Sequence, residues 1–317
     1  MKRDIGFGEA SYGIITSLQQ LGHVVPFGDP TAAVEISFFH PDWWDFSNPD
    51  AHKIGLIPWE SSEIPDHWAM HMETADEIWA TSEHCARALE KAGVPGPIKV
   101  YGHGIGKQWA PRKRERNGPI KFLSVGEPAE RKGAQMTLDA FYEVFGKSAE
   151  EATLTIKANG YNATRIRNGQ DIIYAPQDLP NMRTVVESID EEDLIQLYYD
   201  HDVLIYPSWG EGFGFFPAQA LATGMPTICT AAWAPYKDYL NELALSSEVV
   251  PTRWPNEHPG LMYKPDFEEL KRLLRYTVDN FDHLSEEFYA QSQTFHDEYD
   301  WVKLTEEAFR PIVEKFG

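Results

Sequence analysis

At 317 residues, with hydrophobic residues at 42% and charged residues at 24%, the chain has room for two domains and the makeup of a folded protein, not a disordered one. Forty-nine acidic against 28 basic residues leave a formal charge of −21, which repels phosphate backbones and anionic lipid and excludes general coating of nucleic acid. Two widely separated cysteines, Cys85 and Cys229, form no disulfide framework or zinc knuckle, and no apolar run has the length of a bilayer span or a signal-peptide core. A soluble cytoplasmic protein is expected, with the sequon at Asn162 unused.

Short β-rich runs alternate with amphipathic helical stretches, the pattern of parallel βα units. A glycine-rich loop, Gly6 to Gly13, precedes a helical pattern from Ile14 to Leu21. Strands are predicted over Val34 to Phe39, Lys53 to Pro58, Glu77 to Ala80 and Ile98 to Tyr101, with a helix over Cys85 to Ala92. The polar, basic stretch from Pro111 to Pro119 has no apolar residue inside and proline at both ends, which marks a linker. A second series follows, with strands over Ile120 to Val125, Thr153 to Lys157, Asp202 to Tyr206 and Pro226 to Cys229. Leu138, Phe141, Val144 and Phe145 share a helix face; Phe267, Leu270, Leu273, Leu274 and Val278 keep helical spacing, as do Trp301, Leu304, Ala308 and Ile312, with a kink expected at Pro311.

The densest chemistry lies between Tyr206 and Gly224. A buried strand ends at Tyr206, a glycine-rich loop follows, a helix starts near Pro217, and Gly224 suits its left-handed stop. Such a turn aims backbone N–H groups and the positive helix end at one point, a natural anion site. Glu211 on the loop is unsuited to phosphate and suited to sugar hydroxyls. Upstream, Arg131 and Lys132 stand before Gly133 at a helix start, where cations oppose the helix dipole and so point to a functional role.

These segments resemble the retaining nucleotide-sugar glycosyltransferases of group 1, or family four. Pro207-Ser208 and Glu211-Gly-Phe-Gly214 match the family signature, whose second acidic position is Gln219 here. Lys132 matches the family lysine; the usual arginine after Gly126 is replaced by Glu127, and Arg131 is the substitute cation. The Gly6 to Gly13 segment resembles the family's N-terminal loop, although almost no strand precedes it, and the stretches Lys53 to Pro65, Ala75 to Ser82 and Val100 to Ile105 match less specifically. The resemblance covers nearly the whole chain, more strongly its C-terminal half, and includes compact phage-borne enzymes.

The resemblance implies an α/β protein of GT-B fold, two facing Rossmann-like domains with a C-terminal helix crossing back to the first. Residues 1–112 would form a short acceptor-side domain, 113–119 the linker, 120–295 the nucleotide-sugar domain and 296–317 the crossing helix. It implies retaining, metal-independent transfer of a hexose from a nucleoside-diphosphate sugar to an acceptor hydroxyl, with no cofactor and no membrane partner. The acceptor would be a protein, a glycan or a modified nucleobase, and the charge favours the first two over DNA. Lys132, Arg131, Glu211 and Glu60 are the expected catalytic residues; Gly8, Gly126, Ser208, Gly212, Phe213, Gly214, Phe215 and Gln219 the expected donor-binding ones. A nucleotide-sugar epimerase of the same fold and a catalytically weak sugar-nucleotide binding protein are the alternatives. His67 and His71, four apart, are expected on a surface helix and not on a metal; Arg112, Lys113, Arg114 and Arg116 in a solvated hinge; Trp43 and Trp44 in the core.

Overall fold

The computed structural model describes residues 6–127, 129–158 and 179–316, so the Asn162 sequon lies outside the described residues. The chain opens with a helix, α1 (Gly6–Gln20), which buries Ala10, Ile14 and Leu18 along one face. The glycine-rich stretch expected as a loop is therefore the first turns of this helix. Packing overrides the helix cost of glycine here: at Gly13 any side chain would collide with the Trp301 ring.

Four parallel strands follow, β1 (Val34–Phe38), β2 (His52–Ile57), β3 (Glu77–Ala80) and β4 (Ile98–Val100), paired in chain order. A short helix, α2 (Trp68–Met72), and a longer one, α3 (Glu83–Ala92), connect them. Ser82 caps α3 by accepting from the Cys85 amide, and Gly93 closes it in the left-handed region at φ 66°.

The second sheet holds β5 (Ile120–Gly126), β6 (Ala152–Ala158), β7 (Met182–Val185), β8 (Val203–Tyr206), β9 (Thr227–Thr230) and β10 (Ala244–Leu245), all parallel. Its order is β10-β9-β8-β5-β6-β7. From β5 the chain winds outward to β7, then returns to β5's other side at β8. The crevice at the carboxyl ends of β5 and β8 is thus the topological switch point, where ligands bind in open parallel sheets. The helices α4 (Ala134–Phe145), α5 (Glu191–Tyr199) and α6 (Phe215–Ala222) belong to this sheet. An antiparallel hairpin, β11 (Ser247–Pro251) and β12 (Leu261–Pro265), was not legible in the sequence; β11 lacks a buried residue and so lacks the alternation that marks a strand. Three helices complete the chain: α7 (Phe267–Asp279), α8 (Phe281–Glu298) and α9 (Trp301–Phe316), the last running on through Pro311. Among the described residues, no helix is long and apolar enough to cross a membrane.

The basic stretch is not a solvated hinge throughout. Arg114 is buried, and its guanidinium donates to the carbonyls of Tyr198, His201 and Thr223 at 2.9 to 3.0 Å. It thereby satisfies backbone acceptors at the ends of α5 and α6, where a cation also complements the helix dipoles.

The last helix packs on the first sheet. Trp301, Ala308, Phe309 and Ile312 share a core with Ala10, Ile14, Leu56, Trp79 and Tyr101. Tyr101 OH lies 2.8 Å from Thr305 Oγ1, and the Ile105 amide donates to Tyr299 O at 2.7 Å. His103 sits at this junction, stacked on Phe215 at 5.1 Å and 5.6 Å from the Trp301 ring, its Nδ1 buried without a hydrogen bond among the described residues.

Burial holds two imidazoles neutral, His103 at about 3 and His201 at about 4. The unfolded chain takes up these protons near pH 6.5 and the folded chain does not. Stability is therefore full above that pH and falls as the pH drops toward 4, by up to about 1.4 kcal/mol per pH unit for each histidine. Urea midpoints measured across that range should show the loss, and His103→Phe should remove its share of the slope.

Candidate active site

The loops after β5 and β8 meet at the switch point. Gly133, at φ 74°, ends the first loop against the backbone carbonyl of Pro207, an approach that any side chain would block. The Trp209 amide donates to Arg131 O at 2.9 Å, tying the loops together. The second loop also reaches the first sheet: Gly210 lies against the carbonyl of Glu60 with no room for a Cβ, and Thr81 Oγ1 donates to Gly212 O at 2.8 Å.

Four charged side chains converge there. Lys132 Nζ donates to both oxygens of Glu211, at 2.8 and 2.7 Å. Arg131 lies 3.5 Å from Glu211 and 3.7 Å from Glu60, and donates to Gly210 O at 2.6 Å. Glu211 Oε1 also accepts from Ser208 Oγ at 2.6 Å and Tyr206 OH at 3.0 Å. Burial opposes the charge on Glu211, but Lys132 and Arg131 outweigh it and hold the carboxyl below the usual range. Burial, with the neighbouring Arg131 charge, pulls Lys132 down. Burial also pulls on Arg131, and there Glu60 and Glu211 prevail, raising it. Arg131 thus stands beside Lys132, on the loop where Glu127 replaced a cation.

The remaining expected donor-binding residues divide. Ser208 and Gly212 belong to the loop just described, and Gly126 ends β5 at φ 138°, where a side chain would press on the Phe216 ring. Gly214 starts α6 with φ 82°, its carbonyl held by Tyr236 OH at 2.7 Å. The Phe213 ring is buried against His103 and Tyr236, which leaves its backbone amide as the group on which the expected donor contact rests. Phe215 is stacked on His103, and Gly6 of α1 lies 3.8 Å from its ring at the Cβ position. The loop expected around Gly8 is corrected, since Gly8 lies buried within α1. Gln219 is buried in α6, its Oε1 without a hydrogen-bond partner among the described residues.

Sequence reasoning missed the residues that brace this loop. Tyr206 is one; Trp233, whose Nε1 donates to Ser208 O at 2.9 Å, is another. His258, between β11 and β12, brings Nδ1 to 3.7 Å from Glu60; nothing in its sequence neighbourhood signals this, because the hairpin carries it in from afar. His67 and His71 both turn to Asp42, at 3.2 and 3.5 Å, and no group of three or more metal-ligating side chains occurs among the described residues. Trp44 packs against Gly55 as core, but Trp43 is 72% exposed, contrary to expectation.

Residues 81–307 match the model of a family described as family 4 glycosyltransferases in conflict systems. Over 107 residues, 34% of the chain, the sequence is 30% identical to the serotype-specific mannosyltransferase WbdA of Escherichia coli, and the match spans 13% of that protein. Trehalose-6-phosphate synthase OtsA has the same fold, with a TM-score of 0.63 at 13% identity over 98% of this chain and 77% of its own. Sucrose-phosphate synthase from Thermosynechococcus elongatus aligns over 100% of this chain and 80% of its own, with a TM-score of 0.61 at 14% identity. Both likenesses carry the two-domain GT-B architecture.

Because Glu211 is only 8% exposed, Lys132→Ala leaves a buried carboxylate without its closest cation. Its stability should fall by about 3 kcal/mol or more. Lys132→Met combined with Glu211→Gln removes both charges and should recover most of that loss in urea denaturation.

Proposed function

The chain belongs to the family 4 glycosyltransferases in conflict systems, and from that premise we propose that it moves a hexosyl group from a nucleoside-diphosphate sugar to an acceptor hydroxyl, with retention and without a metal. The reading is carried by the buried pairing of Lys132 and Arg131 with Glu211 beneath the start of α6. Residues 1–112 supply the acceptor side, and 120–295 the donor side.

Departure of a nucleoside diphosphate builds negative charge that fixed cations and a helix end stabilise in a dry site. Lys132 spends two donors on Glu211 and keeps a third for the diphosphate. Glu211 Oε1 is occupied by Lys132, Ser208 and Tyr206, whereas among the described residues Oε2 accepts only from Lys132. Oε2 is the edge that takes a sugar hydroxyl. As the bond from the sugar's anomeric carbon to phosphate breaks, the acceptor oxygen attacks from the same face and its proton passes to the leaving phosphate. Glu60 orients the acceptor hydroxyl from the opposite wall.

Incubation with uridine, guanosine and adenosine diphosphate hexoses should release free nucleoside diphosphate, and proton NMR should show the donor's anomeric configuration in the product. Activity should survive EDTA; inversion, or a loss restored by manganese or magnesium, overturns the reading. Lys132→Ala, assayed well below its melting temperature, should lose at least about 10²-fold in turnover.

Gln219 gives a separate test. A carboxylate there accepts from two ribose hydroxyls where the amide accepts from one. Gln219→Glu should tighten donor binding by about 1 kcal/mol in calorimetry. The same change should lower the melting temperature of the free protein, since it buries a charge at a site where the amide oxygen already lacks a partner.

A further inference from the structure

Beside the charged crevice, the first sheet carries a wall of aromatic rings that the transfer chemistry does not use. Phe7, at the start of α1, lies 4.5 Å from Phe39, just past the end of β1, and 5.6 Å from His40. Phe39 in turn meets Trp43 edge to face, at 6.4 Å and 87°. Trp43 is 72% exposed and Phe39 36%, so the two touching rings present one adjoining apolar surface to solvent.

Two links fix this wall to the cleft. A side chain at Gly6, the neighbour of Phe7, would touch the Phe215 ring at the start of α6, and Phe215 packs against the core that holds Ala10 of α1. On the other side, the His40 ring lies 5.1 Å from Trp68 and Trp68 lies 4.6 Å from Trp59, the chain neighbour of Glu60, and Glu60 itself stands 3.7 Å from Arg131. Glu60 is 19% exposed, and its carboxylate lies within 4 Å of Arg131 and His258 yet makes no hydrogen bond among the described residues. A half-enclosed carboxylate with acceptor capacity to spare, next to exposed rings, calls for a ligand that offers both hydroxyls and C–H surface.

We propose that Phe39 and Trp43 seat the acceptor, and that the acceptor presents a neutral pyranose ring: the C–H face of the sugar lies on the Trp43–Phe39 corner and its hydroxyls reach Glu60. The electron-rich faces of aromatic rings attract polarised C–H bonds, and a carboxylate takes hydroxyl donors. An anionic acceptor is disfavoured by the same carboxylate, by Asp42 on the turn that carries Trp43, and by the overall charge of −21. This names the acceptor class for the proposed transfer and rests on that reading, but its test does not require turnover.

Saturation-transfer NMR on the full chain, with methyl α-pyranosides of glucose, mannose and galactose and with adenosine and uridine as probes, measures binding directly. At least one pyranoside should bind. Trp43→Ala should weaken it about tenfold or more, the scale of one lost aromatic contact at a binding site, while Trp43→Phe stays within about threefold because a ring face remains. Phe27→Ala, an 81% exposed aromatic outside the site, should change nothing. No pyranoside binding, binding indifferent to Trp43→Ala, or Trp43-dependent binding of the nucleosides in its place overturns the proposal. Failure of the transferase reading appears separately, as no nucleoside diphosphate released from any donor.

Discussion

Neither sign of charge at the switch point can be buried without the other. Lys132 and Arg131 enter on the loop after β5, Glu211 on the loop after β8, and Glu60 from the other sheet. Each alone would cost several kcal/mol of lost hydration. Together they are nearly neutral, and each is placed by the others. The close backbone approaches at Gly133 and Gly210 exist to let these loops meet, and Tyr206, Ser208 and Trp233 use their polar atoms to hold them there.

The same contacts explain why the two sheets face each other across so little space. Thr81 reaches Gly212, His103 stacks on Phe215, and the hairpin β11–β12 brings His258 to Glu60. The two sheets therefore share side chains and are not merely apposed. A change at Phe215 or His103 would be felt on both.

Much of this was legible in the sequence, for identifiable reasons. The parallel strands are short apolar runs bounded by turn residues, and the loop from Pro207 to Gly214 spells its own geometry in glycines. What was not legible depended on partners distant in the chain. Trp43 reads as core until the sheet is built and leaves it at the rim; Arg114 reads as a solvated linker cation until three carbonyls from two helices converge on it. Gly6 to Gly13 reads as a loop because local propensity disfavours helix, and only the Trp301 ring explains why a helix with bare positions is preferred. The GT-B architecture and the glycosyltransferase family follow the resemblance; the partners of the side chains in the crevice follow from its geometry.

The crossing of α9 has a consequence for how the molecule is made. The apolar face of α1 and the rings of Trp79 and Tyr101 are covered by residues from Trp301 onward, which leave the ribosome after everything in between. During synthesis the first sheet must wait, half-clad, while the whole second sheet emerges and folds. Contacts of such separation slow folding and leave sticky surface open to chaperones or to neighbouring nascent chains. The helix that closes the fold is in this sense its last stitch, and yield in the cell should depend on how quickly it arrives.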